Sequence, residues 1–332
     1  MIELCFSTID IGRIRFALSP MWEAVTSVRA LSTATPNGLH AGWLRQVRPS
    51  LTELDLDLLT TLVRPAGFIP DFLVPAPRHR SPTIESGLAQ IAASAPAVVA
   101  EQLTHLAGHP VAQRGPGRAE RVRLLGELIA EPEAGLVRIV AELGRWWRVA
   151  IAPYWPRMRA LLHNDVTYRL DELANGGVQQ LFRTLHPLIG FSGDTLRITK
   201  YYTGRAQLRQ RGLLLVPCVF AWPDVLVGTA DPNVANVTYS PRGLGRLWDA
   251  SVGVATEPLA AVLGRSRAAL LAQLDLPMST SQLATLLDLA APTVNIHLKA
   301  LEAAGIVGAR RDGHAVLYRR SRLGDLLLAG DA

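Results

Sequence analysis

The sequence predicts a mainly α-helical protein with a small antiparallel β region, organised as a large N-terminal helical domain and a smaller C-terminal domain. Two changes along the chain carry this prediction. Apolar residues recur at helical spacing through residues 1–188, as at Ile139 and Leu143. Residues 189–250 instead hold short strand-like runs between turns rich in Gly, Pro, Asp and Asn. Residues 251–332 return to helix before they end in a strand pair.

Prolines divide the helical signal of the N-terminal domain. The pattern over residues 84–107 is predicted to break at Pro96, because proline cannot continue a helix that reaches it from the N-terminal side. The pattern over residues 119–173 is predicted to separate near Pro132 in the same way, and a further helix is predicted over residues 177–185.

Short strands are predicted in the middle of the chain. Residues 195–200 alternate between apolar and polar, and residues 213–220 and 235–239 are strand-like runs. An apolar run at residues 2–6 is another candidate strand. We interpret residues 189–250 as a small antiparallel sheet that bridges the helical domain to the C-terminal domain.

Residues 279–322 form the most specific pattern in the chain. Ser279 and Gln282 have the spacing of a capping box, in which each side chain bonds a backbone N–H group at the helix start. A second helix follows, with an apolar stripe at i, i+4 and i+7. The stripe consists of Val294, Leu298 and Leu301. Two short helices joined by a tight turn are therefore predicted.

A β-hairpin is predicted directly after the second helix. Gly305 stands where glycine commonly ends a helix in the left-handed conformation. Residues 306–307 and 315–318 are strand-like, and the Asp-Gly pair at 312–313 is a strong hairpin turn signal. We therefore predict that residues 251–332 are a winged helix-turn-helix domain.

The outer face of the second helix is suited to DNA. If the apolar stripe is buried, a rotation of about 100° per residue turns small, polar and cationic side chains outward. A helix with such side chains in its N-terminal half suits insertion into the major groove. The residues of this helix that we predict to contact DNA are Ala291, Thr293, Asn295, Ile296, His297 and Lys299.

Arginine is concentrated in the wing. Five arginines, at positions 310, 311, 319, 320 and 322, stand against one acid, Asp312. Such side chains suit phosphates beside the groove, where they supply affinity and little sequence readout. The wing residues that we predict to contact DNA are Arg310, Arg311, His314 and Arg319. The alternative is a winged helix that binds protein or serves only for packing.

These residues resemble the ArsR-type winged-helix transcription regulators. The resemblance rests on Thr293-Val294-Asn295-Ile296-His297-Leu298, Leu301, Ala304-Gly305-Ile306-Val307, Arg310-Arg311, Gly313 and Tyr318, in the last part of the chain. It implies a DNA-binding transcription regulator. Because the helix before the motif contributes to the dimer interface in that family, the resemblance also implies a homodimer.

The chain departs from the family pattern at three places. Ala290 stands where the family has a capping Ser, and such a loss costs about 1 kcal/mol of helix stability. Asn295 replaces a Ser and suits bidentate pairing with an adenine edge. Metal-sensing members carry a Cys-x-Cys pair where this chain has Ser279 and Ser281, so the resemblance implies no metal site there.

A second resemblance covers nearly the whole chain. Its segments are Phe6-Ser7-Thr8, Arg13-Ile14-Arg15-Phe16-Ala17, Ser19-Pro20, Trp22-Glu23, residues 213–220, Trp222-Pro223 and Tyr239-Ser240-Pro241-Arg242-Gly243. They resemble actinobacterial regulators in which a domain of unknown function, DUF5937, precedes an ArsR-like module. This resemblance implies a regulator and names no effector.

Charge and composition agree with a nucleic-acid partner. The formal net charge is +6 and the isoelectric point is near 9.8, which favours a polyanionic partner. Cys5 and Cys218 are too few for a disulfide framework or a Cys-rich zinc site. No apolar run approaches the roughly 18 residues of a membrane helix, and the N-terminus lacks a signal-peptide core. We expect a cytoplasmic protein without a membrane partner.

No catalytic residue, metal site or cofactor is predicted. His105 and His109 have the i, i+4 spacing that can bring two imidazoles to a metal, but no third ligand is evident and surface histidines are the favoured interpretation. Gly190-Phe191-Ser192-Gly193 lacks the spacing of a G-x-S-x-G nucleophile turn. We therefore expect that the protein is not an enzyme.

One aromatic cluster is a candidate binding site for a small effector. Trp146, Trp147, Tyr154 and Trp155 fall within ten residues, and Met158 follows them. Aromatic pockets among helices commonly bind flat organic ligands. The alternative is that these side chains pack the core, and both interpretations hold if the cluster is a pocket wall.

These observations predict a homodimeric, sequence-specific DNA-binding regulator, a repressor, whose N-terminal domain senses a hydrophobic or aromatic effector. Its partners would be a double-stranded operator, a second copy of itself and the effector. The alternative is a winged-helix interaction or structural module without DNA binding. A third interpretation makes the N-terminal domain an enzyme for a small aromatic compound.

Overall fold

The computed structural model describes residues 1–32, 38–52, 54–110, 112–113, 117–229, 234–248, 259–274, 277–312 and 315–329. Contacts divide the chain into two compact units. The first unit consists of residues 1–34 and 47–240, and the second of residues 35–46 and 241–332. The proposed segment boundaries at residues 188 and 250 stay a prediction.

Helices dominate the structure, which confirms the predicted fold class. They are α1 (Thr8–Ile11), α2 (Pro20–Ser32), α3 (Gly38–Val47), α4 (Asp57–Leu62), α5 (Ile84–Ala92), α6 (Pro96–Gly108), α7 (Arg118–Ala130), α8 (Pro132–Trp146), α9 (Trp155–Leu185), α10 (Arg265–Gln273), α11 (Thr280–Leu287), α12 (Ala291–Ala303) and α13 (Arg322–Ala329). Residues 259–263 are also helical. Single 3-10 turns occur at Arg48–Leu51, Asp71–Leu73, Val219–Ala221 and Leu244–Arg246.

The helix boundaries follow the predicted prolines. Pro96 and Pro132 begin α6 and α8, because the N–H that proline lacks would be unpaired in the first helical turn anyway. Between α8 and α9 the backbone makes a π-turn, in which Ala152 N donates to Trp147 O at 2.8 Å. Within α9, Gly177 adopts φ 65° and ψ −168° and separates two helices near the predicted position.

The strands form three small sheets. They are β1 (Ile2–Cys5), β2 (Arg15–Phe16), β3 (Ile189–Ser192), β4 (Thr195–Ile198), β5 (Gly204–Gln207), β6 (Leu213–Pro217), β7 (Leu226–Gly228), β8 (Ala235–Tyr239), β9 (Met278–Ser279), β10 (Val307–Asp312) and β11 (Ala315–Arg320). The first unit holds two four-stranded sheets, ordered β3-β4-β1-β5 and β2-β6-β8-β7, and the second unit holds β10-β11-β9.

The sheets of the first unit are mixed, whereas the sequence predicted antiparallel pairing in this region. Strand β1 pairs antiparallel with β4 and parallel with β5, and β6 pairs parallel with both β2 and β8. Strands β1 and β2 come from the N-terminus, so no hairpin connects them to their partners. Only strands joined by a tight hairpin must pair antiparallel, so strands with long connections can also pair parallel.

A buried ionic cluster joins α9 to β8 in the first unit. Asp165 and Arg169 are fully buried, with Oδ1 and Nε 3.5 Å apart. The Tyr239 hydroxyl donates to Asp165 Oδ2 at 2.7 Å, and Arg169 NH1 donates to Thr184 O at 2.8 Å. Because buried charges persist only when they are paired and hydrogen-bonded, this cluster fixes the position of α9 against the sheet.

A second buried carboxyl, on Glu23, connects α2 to the turn after β6. Glu23 Oε1 accepts from Val219 N at 2.7 Å, and Oε2 accepts from Phe220 N at 3.4 Å. Burial raises the pKa of Glu23 to about 8, against the opposing effect of the Val219 hydrogen bond. The folded protein therefore holds this carboxyl mostly in its neutral form at neutral pH.

The second unit has the predicted winged-helix elements. The capping box is present, since Ser279 N donates to Gln282 Oε1 at 2.7 Å and Gln282 N donates to Ser279 Oγ at 3.2 Å. Gly305 adopts φ 68° after α12, and Ile306 N donates to Leu301 O at 2.9 Å, which is the bond pattern of a left-handed helix end. The predicted start of α11 and the predicted end of α12 are therefore confirmed.

Candidate nucleic-acid interface

Helix α12 buries the predicted apolar stripe and exposes the predicted polar face. Val294, Leu298 and Leu301 are at most 1% exposed, whereas Ile296 is 65% exposed. The exposed members of the predicted DNA-contacting set are Ala291, Thr293, Asn295, Ile296 and Lys299. The helical spacing thus brings five side chains onto one accessible face, as the stripe predicted.

His297 is less accessible than its neighbours on α12. It is half-buried, and its Nδ1 is covered without a hydrogen-bond partner among the described residues. A covered ring nitrogen cannot reach a base, so any contact from His297 has to use the other edge of the ring. Its predicted contact with DNA stays a prediction.

Lys299 carries the positive charge of the α12 face. Its Nζ bonds Glu302 Oε2 at 2.8 Å and lies 5.9 Å from the centre of the Tyr318 ring. The hydrogen bond that Lys299 donates to Glu302 is the main cause that raises the pKa of Lys299. Because an exposed ion pair is weak, a DNA phosphate can compete with Glu302 for this ammonium.

The wing places its arginines on two faces. In the hairpin, Arg310 pairs with Leu317 and Gly308 pairs with Arg319, so Arg310 and Arg319 are diagonal neighbours on one face. Arg311 is adjacent to Arg310 in the strand and therefore lies on the opposite face. All three arginines are exposed. Arg310 and Arg319 can thus contact the phosphates of one DNA strand together. Arg311 presents its positive charge from the opposite face of the hairpin.

Arg320 does not belong with the other wing arginines. Its Nε donates to Asp325 Oδ1 at 2.7 Å, and its NH1 donates to the carbonyls of Leu271 and Ala272 at 3.1 Å each. The prediction that Arg320 binds phosphate with the other wing arginines is therefore wrong. It fastens the hairpin to the end of α10. The sequence gives no sign of this role, because its partners lie about fifty residues away in sequence.

His314 lies outside the described residues, so its predicted contact with DNA stays a prediction. Arg322 is exposed and begins α13. Arg242, to which the sequence assigned no role, pairs with Asp288 at 2.6 Å beside the turn between α11 and α12. The pair fixes Asp288, which adopts φ 54° there.

The aromatic cluster predicted to bind an effector contributes to the packing of the first unit. Trp146 is fully buried, and its Nε1 donates to Ala24 O and Ser27 Oγ at 2.9 Å each. Met158 is also fully buried, and Trp147 and Trp155 pack edge-to-face with ring centres 5.4 Å apart. Tyr154 is half-buried. The effector role of this cluster stays a prediction.

The described residues include no group of three or more His, Cys, Asp or Glu side chains able to hold a metal ion. Within the same residues, no helix is long and apolar enough to span a membrane. His105 is exposed, and its ring centre lies 6.4 Å from that of His109. Both histidines line a cavity of the first unit that sequence analysis did not find.

Two family models match the chain. Residues 263–307 match a helix-turn-helix domain, and residues 83–241 match a family of unknown function, DUF5937. No curated protein and no solved structure matches the chain. The DUF5937 match ends next to the boundary between the two units, and the helix-turn-helix match covers α10 to α12. The chain is therefore a DNA-binding regulator of the helix-turn-helix class that carries a DUF5937 region, which confirms the resemblance seen in its sequence.

Proposed function

We propose that the protein is a homodimeric transcription repressor whose operator affinity is controlled by a small hydrophobic or aromatic effector bound in the first unit. The exposed face of α12 is the observation that carries this proposal. Thr293 and Asn295 project from the N-terminal half of a helix whose opposite face is buried, and Lys299 is exposed just past the middle of the same helix. Side chains in this arrangement reach base edges in a major groove.

The wing supports the same proposal. Arg310 and Arg319 lie together on one face of the hairpin, and both side chains are exposed. Arginines of this kind bind phosphates and add affinity that depends on salt. Specificity is therefore assigned to α12, and affinity to the wing.

A leucine face on α13 supports the homodimer. Leu323, Leu326 and Leu327 are 46%, 48% and 37% exposed and share one helix face, since they are spaced i, i+3 and i+4. A second copy of the chain would cover this face in a two-fold symmetric contact. Two copies would then present two α12 helices to half-sites about one DNA turn, roughly 34 Å, apart.

Control by an effector requires two states of the dimer. An effector changes DNA affinity only as far as its own affinity differs between the DNA-bound and the free state. The effector would bind in the first unit, because that unit holds a cavity of ligand size. A repressor would be released when the effector favours the free state.

The DNA proposal is tested on operator fragments that the wild-type protein selects from a random pool of duplexes. Binding is then measured by fluorescence anisotropy at several salt concentrations. Asn295→Ala and Lys299→Ala should lower the ratio of specific to non-specific affinity by roughly tenfold each. Arg310→Ala/Arg319→Ala should weaken binding to all sequences and reduce the salt slope by about two.

The matched control is Arg159→Ala, which removes an exposed arginine of α9 in the first unit. It should leave both affinity and salt slope unchanged. If no fragment is enriched and affinity is negligible at low salt, the winged helix is an interaction module and the proposal fails.

The homodimer is tested by sedimentation equilibrium of Leu326→Asp. A charge on the leucine face should dissociate the dimer and lower operator affinity, because one half-site alone binds more weakly. The control is Val122→Asp, because Val122 is an apolar residue of α7 that is 41% exposed. A wild-type monomer, or a dimer that survives Leu326→Asp, contradicts this part of the proposal.

A further inference from the structure

A groove of about 330 Å³ lies on the surface of the first unit. Its walls are formed by β2, β6, α9 and residues 77–80. Binding sites for small organic ligands have volumes of roughly 300–1,000 Å³, so this groove suits a narrow ligand. The residues that line it differ from those of the cavity of about 440 Å³ in the same unit, whose wall includes Trp22, Arg29 and Lys200. The groove is therefore a separate candidate site.

The floor of the groove is apolar. Strand β6 contributes Leu214, and one face of α9 contributes Val166 and Leu170, which are spaced i, i+4. Leu214 and Val166 are buried, whereas Leu170 is 41% exposed. The apolar core of the first unit thus continues outward into the groove through Leu170. A ligand that covers this surface removes apolar area from water, which favours binding.

Arginines form the rim of the groove. Arg15 pairs with Leu214 in the sheet, and the side chains of directly paired residues lie on the same face of a sheet. The Arg15 side chain therefore lies beside the apolar floor. Arg78 and Arg80 line the groove from the segment that packs against the sheet, where Leu18 N donates to Arg80 O at 2.9 Å. All three arginines are exposed.

Positive charge predominates in this lining. The described residues that line the groove include three arginines and His79, and they include neither Asp nor Glu. Arg13, which is also exposed, extends the positive charge beyond the groove, and its NH1 donates to Gln210 O at 2.6 Å. Asp10 contacts the same loop, but it is 1% exposed and accepts from Gly212 N at 2.9 Å. The rim therefore attracts an anionic group from solvent.

A ligand that matches both features has an apolar chain for the floor and an anionic group for the rim. Arginine binds carboxylate oxygens in a bidentate manner. The narrow groove suits a molecule with one chain, whereas a phospholipid with paired chains exceeds it. We infer that this groove binds an unbranched aliphatic carboxylate, with its carboxylate among the three arginines and its chain along Val166 and Leu170. This site goes beyond the proposed function, because it is a second ligand site outside the effector cavity.

Isothermal titration calorimetry of the full chain without DNA tests the ligand class. The probe is decanoate. Butyrate keeps the carboxylate and lacks most of the chain, so it should bind at least roughly fiftyfold more weakly. Decyltrimethylammonium keeps the chain and reverses the charge, so it should bind at least roughly tenfold more weakly. Equal binding of the anion and the cation, or no binding of decanoate at about 1 mM, would overturn the inference.

Two pairs of matched variants test the site. Arg15→Gln/Arg80→Gln removes two charges of the rim and should weaken decanoate roughly tenfold. Its control, Arg138→Gln/Arg148→Gln, removes two exposed arginines elsewhere in the first unit and should leave binding unchanged.

Leu170→Glu places a negative charge in the floor and should abolish binding, whereas Val122→Glu, at a residue of α7 with the same 41% exposure, should not. Circular dichroism checks that each variant is folded. Equal weakening by both arginine pairs, or normal binding in Leu170→Glu, would reject the groove. Weaker binding in Tyr202→Ala, with normal binding in Arg15→Gln/Arg80→Gln, would place the ligand in the larger cavity and also reject the groove.

Operator binding separates a carboxylate groove from a second contact with DNA. Arg15→Gln/Arg80→Gln should bind the operator with wild-type affinity and an unchanged salt slope. If this variant instead weakens DNA binding and leaves decanoate binding unchanged, its arginines contact phosphates and the groove assignment fails, while the repressor proposal stands. If the wild-type protein binds no DNA but binds decanoate through these arginines, the groove assignment stands and the repressor proposal fails.

Discussion

The two units of this protein differ in how their candidate sites are assembled. In the second unit, the exposed face of α12 and the wing come from residues 291–320, which are continuous in sequence. In the first unit, the cavity combines α2 with residues near 70, 105, 200 and 224. A site made from one helix and one hairpin follows from local periodicity and turn chemistry, whereas a site made from distant segments depends on packing.

If this difference is correct, the largest effect in the second unit should come from the buried stripe of α12. Leu298 is fully buried, so Leu298→Ala should lower the free energy of unfolding of this unit by about 2–5 kcal/mol through lost contacts and a cavity. Urea denaturation measures the change. DNA binding should fall with the folded fraction alone, since Leu298 does not reach the exposed face.

Ile296→Ala is the matched change on the other side of the same helix. Because Ile296 is 65% exposed, its loss should change stability by less than about 0.5 kcal/mol. Operator affinity should fall instead. If Ile296→Ala destabilises the unit as strongly as Leu298→Ala, the face that we assign to DNA is a packing face.

The features that could be predicted from the sequence are those that depend on residues close together in the chain. The capping box, the stripe, the Gly305 helix end and the helix starts at Pro96 and Pro132 each depend on residues within one or two helical turns. All of them are present. These features could be predicted because short-range geometry alone determines them.

The features that could not be predicted depend on distant partners. The parallel pairing of β6 with β2 and β8 joins segments that no turn connects. By residue type and position in the wing, Arg320 resembles a DNA-binding arginine, but its guanidinium donates hydrogen bonds to backbone carbonyls of α10. The cavity residues Arg29 and Lys200 belong to no motif. Periodicity carries no information about which segments meet across the core.

The pH dependence of the free energy of unfolding should reveal the buried contact between Glu23 and the turn after β6. The pKa of Glu23 is raised from 4.5 to about 8 in the folded protein, so folding favours the protonated form. Stability from this group is complete below the unfolded pKa and is lost as the pH rises towards 8. The free energy of unfolding should fall by roughly 1 kcal/mol between about pH 7 and pH 8, and Glu23→Gln should remove this slope.

Chemical denaturation at a series of pH values measures this slope. The range above pH 7 is chosen because burial lowers the pKa of His40 to about 3 and that of His186 to about 4. Those histidines affect stability only below their unfolded pKa. Glu127→Gln, at an exposed carboxylate of α7, is the control and should keep the wild-type slope. A slope that survives Glu23→Gln would mean that another group titrates.

The smallest expected effect tests whether a purely local rule governs the second unit. Ala290 is the N-cap of α12, has an extended backbone with φ −69° and ψ 134°, and makes no side-chain capping bond. Pro292 lacks an N–H, so a serine at position 290 would accept from Thr293 N. Ala290→Ser should therefore raise the free energy of unfolding by about 0.5–1 kcal/mol. Ala300→Ser, at an exposed position inside the same helix, should instead cause a slight loss, because serine is a poorer helix former than alanine. A gain from both changes would reflect serine in general, and no gain from Ala290→Ser would show that packing, rather than the missing cap, sets the start of α12.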